Sequence, residues 1–247
     1  DANLYRYVEN RPTTLTDPSG LFKSGVHGEI TEQTLAVFGI DPRSTLGALI
    51  VESNIKTDFA KELLTEQLHA QAAGFPEKLR QLMQNIKSAK CETVRDRRLK
   101  AIQIGLALHL IQDFFSHTDW IDGKNLVPNY AWWRQNHGIF GDKGEALLMH
   151  EGINHNPHNN TFSLTQIYEG DFSEIDGVLM FQGGYDPTGL PSSQHNRFAA
   201  DSDGFGRDNP RHGGNANAFE NAKRLALSQS IEFMAWVRQN AGCGVFP

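Results

Sequence analysis

Apolar positions recur three and four residues apart through most of this chain, which is the spacing of helices that bury one face. Residues 31–38 and 45–52 fit two short helices, and Gly39, Ile40, Asp41 and Pro42 between them stop the first. Residues 57–89 read as helix interrupted near Gly74, Phe75 and Pro76. Phe59, Leu63, Leu64 and Leu68 share one face of its first part, and Leu79, Leu82, Met83 and Ile86 one face of its second. The clearest helix covers residues 93–119. It starts among Arg95, Asp96, Arg97 and Arg98 and turns apolar at Ile102, Leu106, Leu108, Leu110, Ile111, Phe114 and Phe115, as a helix does on entering a core. A last helix is predicted over residues 217–240 from Phe219, Ala222, Leu225, Ala226, Ile231, Phe233, Met234 and Trp236.

Elsewhere the period is lost. A loop-rich section follows residue 119, and nine glycines between Gly170 and Gly214 predict irregular backbone with a short hairpin near residues 178–182. At the start, Leu4, Tyr5 and Tyr7 alternate with polar residues before Asn10, Pro12 and the turn Asp17, Pro18, Ser19, Gly20, so residues 1–21 read as a strand and turn. The expected fold is all-α with a long Gly-rich section, preceded by a short extended tail.

Length and charge narrow the class. A chain of 247 residues suits one sizeable domain, and its net charge of −6 builds in no general attraction to nucleic acid or an anionic membrane. No apolar run approaches a membrane span, and the first residues resemble no targeting signal. Cys91 and Cys243 stand in unlike contexts, one in a charged helical stretch and one in a Gly-rich tail, and are expected as two thiols. Ten histidines are present, the first at His27.

Candidate chemistry concentrates in LALHLIQDFFSHTDW, residues 106–120. His109, Asp113 and His117 are four apart, so a helix presents them as one stripe among leucine, isoleucine and phenylalanine. Burying two imidazoles and a carboxylate there costs several kcal/mol unless each finds a partner, and a metal serves all of them. Zinc takes His nitrogen and Asp oxygen at about 2.0–2.2 Å. His109 and His117 lie about 12 Å apart along the axis, too far for one ion, so Asp113 is expected between two metal positions. Further ligands must come from elsewhere, with His27, just ahead of a helix, Asp58 and His69 as candidates. No G-x-S-x-G, Walker or H-E-x-x-H motif competes. Ser116 neighbours His117 in sequence but points from another helix face.

Two resemblances add to this. Residues 1–21, with NLYRYV, an Asn- and Pro-containing turn and DPSGL, resemble the closing motif of the RHS repeat core. That resemblance implies cleavage between Leu21 and Phe22, Asp17 in the cutting motif, and a toxin over residues 22–247. HGEIT, His69, the 106–120 segment and FENAKRLALSQSIEFMAW resemble the heterokaryon-incompatibility C family, related to zinc-dependent phospholipase C and single-strand-specific nucleases. This implies a helical phospholipase C/nuclease-like fold around two or three zinc ions. By position, His27, Asp58, His69 and His109 match metal ligands, Asp113 the bridging carboxylate, and His117 the histidine that begins a third site. Phospholipases C place that histidine six residues beyond the aspartate rather than four, and the later His-xxx-Glu pair has no clean copy. His137, His150, Glu151, His195 and His212 all remain candidates for it. In the related enzymes the freed N-terminus binds zinc, so cleavage before Phe22 is expected to create a ligand and switch the toxin on.

The implied reaction is phosphodiester hydrolysis, with Asp58 or Asp113 orienting or deprotonating the water. Trp120, Tyr130, Trp132, Trp133 and Phe140 fit a lipid interface, base stacking or core packing. Net acidity ranks membrane phospholipid above nucleic acid as substrate. The alternatives are a single-strand-specific zinc nuclease and a non-enzymatic membrane-disrupting zinc module. The RHS resemblance further implies a shell from the same polypeptide, delivery by type VI or another contact-dependent secretion route, and a cognate immunity protein.

Overall fold

The computed structural model describes residues 24–57, 74–118, 120, 161–175, 218–241, 243, 245 and 246. They form an all-α fold of α1 (Ser24–Val37), α2 (Thr45–Thr57), α3 (Phe75–Ser88), α4 (Val94–His117), α5 (Leu164–Glu169) and α6 (Ala218–Asn240). Among the described residues there is no β-sheet, and no helix is long and apolar enough to cross a membrane. The tail before residue 22, the cleavage point Leu21–Phe22, Asp58, His69, the hairpin near residues 178–182 and the aromatics Tyr130, Trp132, Trp133 and Phe140 lie outside the described residues.

α4 is the central helix. Thr93 opens it with a capping box: its hydroxyl accepts from the Asp96 N–H at 3.1 Å, and the Asp96 carboxylate accepts from the Thr93 N–H at 3.0 Å. That backbone bond, with the Thr93 side chain, holds the Asp96 carboxyl below its usual pKa. From Ala107 to His117 every residue is buried, because α2, α3 and α6 pack around this half. α2 runs alongside α4 in the same direction, and the two approach closely at Gly105. A Cβ there would meet the Ile50 carbonyl oxygen at 2.4 Å and Ser53 Cβ at 2.7 Å. α6 runs antiparallel to α4, so that Ser230 reaches Gln112 and the α6 C-terminus reaches Lys100.

α1 is longer than the sequence pattern predicts. It begins at Ser24, which places His27 inside its first turns and fully buried rather than ahead of the helix. The pattern fails there because three of the residues facing inward are polar, His27, Thr31 and Thr34. Its end is as expected: Gly39, at φ +69°, closes a Schellman motif in which Gly39 N–H bonds Ala36 O and Ile40 N–H bonds Leu35 O. α5 is a helix within the section expected to be loop. Its six residues, capped by the Ser163 hydroxyl and Gly170, are too few to show a period. Trp120 belongs to the core, where it, Phe75, Phe115 and Phe162 surround Phe114 at ring-centroid distances of 4.7–5.3 Å. Of the roles open to it, core packing is the one observed.

The two cysteines are not thiols. Cys91 and Cys243 form a disulfide with Cα atoms 6.0 Å apart, across 152 residues of sequence. Their contexts differ in sequence, but antiparallel packing of α4 and α6 sets the residues before one helix beside those after the other. Lys100 lies beneath the bridge, fully buried, with Nζ donating to Ala241 O at 3.0 Å, and burial lowers its pKa.

Two changes test this framework. Cys91→Ser is expected to lower unfolding free energy by about 2–5 kcal/mol in urea titrations, through the freed chain ends. Gly105→Ala is expected to cost about 1–3 kcal/mol in the same assay, because rigid backbone stands in the way of the new methyl group.

Candidate metal centre

Three of the sequence-predicted ligands converge. One ligand atom from each of His27, His109 and Asp113 lies within 4.8 Å of the other two, and all three residues are fully buried. α4 supplies His109 and Asp113 from successive turns, and α1 crosses so that His27 faces the same carboxylate. The imidazole rings stand 4.6 Å apart between centroids. His27 Nε2 is 3.3 Å from Asp113 Oδ1, and His109 Nε2 is 3.2 Å from Asp113 Oδ2.

Each of these two separations, one to each oxygen of Asp113, is compatible with a cation between the pair. Charge-assisted N–H···O bonds run at about 2.7–2.9 Å, shorter than either contact. Ligand atoms around a tetrahedral zinc with bonds of about 2.0–2.2 Å stand about 3.3–3.6 Å apart. Two imidazole nitrogens and one carboxylate also form a donor set used by divalent zinc and iron. His27, His109 and Asp113 are therefore able to hold a divalent ion.

Burial pushes the Asp113 carboxyl up, but His109, by its charge and its hydrogen bond, with help from the charge of His117 and the hydrogen bond of His27, more than reverses this. The net effect holds Asp113 well below the usual carboxylate range. His117 is buried one turn further along α4, near enough to act on Asp113 electrostatically, but outside the group of three. His137, His150, Glu151, His195 and His212 lie, like Asp58 and His69, outside the described residues.

Behind the imidazoles is a layer of neutral polar side chains that sequence reasoning did not single out. Thr31 of α1, Asn54 of α2, Gln112 of α4 and Ser230 of α6 are all fully buried. His27 Nδ1 is 2.6 Å from Gln112 Oε1, and His109 Nδ1 is 3.3 Å from Asn54 Oδ1. The available signal was position: Asn54 shares the buried face of α2 with Gly47, Ile50 and Thr57, where a helical period calls for apolar residues.

Asp113→Asn is expected to destabilise the protein by about 3–5 kcal/mol at neutral pH, since it strips the counter-charge from a buried cluster. Added zinc is expected to raise the melting temperature of the parent and leave that of Asp113→Asn unmoved, as read by differential scanning calorimetry.

No curated protein and no solved structure matches the chain. One family does, across residues 38–161, half of the 247 residues. The matched stretch contains α2, α3 and α4, hence Asn54, His109, Gln112 and Asp113, and leaves out His27. On that match the chain belongs to the VWA7 N-terminal domain family.

Proposed function

We propose that this protein is a metal-dependent phosphodiester hydrolase of the phospholipase C type, acting on membrane phospholipid. The observation that carries the reading is the convergence of His27 Nε2, His109 Nε2 and the Asp113 carboxylate from two helices in a core with no solvent contact. A divalent ion bound there, zinc by the sequence resemblance, supplies a Lewis acid for phosphodiester oxygens and activates water at neutral pH. The chain's own part is to hold two imidazoles and an ionised carboxylate in fixed orientation. All three are fully buried, which leaves them little freedom. Asp113, kept ionised, is the residue we assign to orienting the water or taking its proton, with Asp58 as a second candidate from the sequence.

The sequence resemblances extend this reading. His69 and His117 would contribute to further metal positions, for two or three ions in all. Residues 1–21 would be the end of an RHS shell, cut after Leu21, and the remainder a toxin delivered by type VI or another contact-dependent secretion route. A cognate immunity protein would protect the producer. The family name states no activity and favours neither lipid nor nucleic acid. The net charge of −6 works against a nucleic-acid substrate.

The deciding experiment incubates the 247-residue chain with phosphatidylcholine or phosphatidylethanolamine vesicles and, in parallel, with single-stranded DNA, each with and without chelator. Chelator-sensitive release of phosphocholine or phosphoethanolamine is expected, and His109→Ala and Asp113→Ala are expected to lower it at least about 100-fold. Nucleotide release without headgroup release would replace the lipid reading with a nuclease. Vesicle leakage that survives chelator and both substitutions would replace it with a non-enzymatic membrane-disrupting module.

A further inference from the structure

The layer behind the imidazoles has an internal direction, and a single hydroxyl fixes it. Asn54 Nδ2 lies 2.7 Å from Thr31 Oγ1 and 3.1 Å from Gln112 Oε1. Gln112 Nε2 lies 3.2 Å from the same Thr31 Oγ1 and 3.4 Å from Ser230 Oγ. Two side-chain amides therefore meet at one threonine oxygen. A hydroxyl has two lone pairs but only one proton, so it is able to accept from two N–H groups and unable to donate to two carbonyl oxygens. The arrangement that satisfies both amides turns both NH2 groups toward Thr31. Rotating either amide by half a turn sets a carbonyl against Thr31 and opposes Asn54 and Gln112 with like ends. With the NH2 groups so committed, both carbonyl oxygens face the histidines: Gln112 Oε1 at 2.6 Å from His27 Nδ1, and Asn54 Oδ1 at 3.3 Å from His109 Nδ1. A carbonyl oxygen only accepts, so each Nδ1 must carry a proton, whether or not Nε2 carries a second one against Asp113. Each Nε2 then faces Asp113.

We propose that Thr31, Asn54 and Gln112 are positioning residues of the metal centre: Thr31 orients the two amides, which hold His27 and His109 as Nδ1–H and aim both Nε2 atoms at a cation beside Asp113. The inference rests on the metal reading above but concerns groups that touch no metal. It assigns a task to three polar side chains that would otherwise only add cost to the core, since buried polar groups are retained where every member is bonded. Hydrogen bonds to the distal imidazole nitrogen set ring orientation and tautomer in metal sites generally, and losing one weakens metal binding about 10- to 100-fold. His27 and Gln112 form the shorter bond, so the Gln112 arm carries more of the effect than the Asn54 arm.

Two measurements on the full chain test this. Long-range proton–nitrogen NMR correlations on metal-free protein read the tautomer without any metal. The expected result is a protonated Nδ1 on both His27 and His109, and a bare Nδ1 with a protonated Nε2 on either would overturn the proposal. Zinc affinity by competition with a chromophoric chelator is expected to fall about 10- to 100-fold in Gln112→Leu and Thr31→Val, and to recover in Thr31→Ser, which restores the hydroxyl. Unchanged affinity and tautomer in folded Thr31→Val would overturn it as well. Should Thr31→Val not fold, the parent tautomer and the Gln112→Leu affinity decide. If the parent binds no zinc the metal reading fails, whereas zinc binding indifferent to Thr31 and Gln112 removes this inference alone.

Discussion

An ionised carboxylate without solvent has to be met on every side by charge or hydrogen bonds, and in this protein that requirement shapes four helices. Asp113 lies in the most enclosed part of α4, and the imidazoles of His27 and His109 both face its oxygens. The imidazoles in turn need acceptors at their far nitrogens, which Gln112 and Asn54 supply. Those amides need acceptors of their own, which brings in Thr31 and Ser230. Each step outward recruits another helix, so the polar chain runs from α4 through α1 and α2 to α6. A buried network of this kind is stable only when complete. The close approach of α2 and α4 at Gly105 belongs to the same requirement, because it draws Asn54 within reach of His109.

The apolar scaffolding was legible from residue pattern, and the polar interior only in part. α3 shows why the first succeeds: Leu79, Leu82, Met83 and Ile86 fall at helical spacing and all four are buried. α6 shows where it stops. Its inward face includes Gln229 and Ser230, polar residues that an apolar pattern does not mark, while Ile231 and Trp236 are only partly enclosed. Gln229 is inside because its amide bonds the backbone of Phe162 at both ends, at 2.7 and 3.2 Å, a contact across 67 residues that no local pattern encodes. The start of α1 was hidden for the same reason, since His27, Thr31 and Thr34 look like a solvent face. His109 and Asp113 stood out because they are ionisable groups surrounded by leucine and phenylalanine. Thr31, Asn54 and Gln112 are neutral, common on surfaces, and drew no notice.

The disulfide illustrates a different limit. Cys91 and Cys243 give no sign in sequence of being neighbours, because their proximity depends on the relative direction of α4 and α6. Once those helices are antiparallel, the pairing follows from geometry. The bridge and the polar layer occupy opposite ends of the α4–α6 contact: Lys100 and Ala241 near one, Gln112 and Ser230 near the other.

α6 lies late in the chain yet supplies a wall of a site whose other walls come from its first half. During synthesis, α1, α2 and α4 emerge from the ribosome well before Ser230 and the apolar face around it. Until that last helix arrives, the side of α1 and α4 that it will cover is wet, and water competes for the amide groups that later hold the histidines. The order of translation thus delays completion of the cluster around Asp113 until α6 has been made.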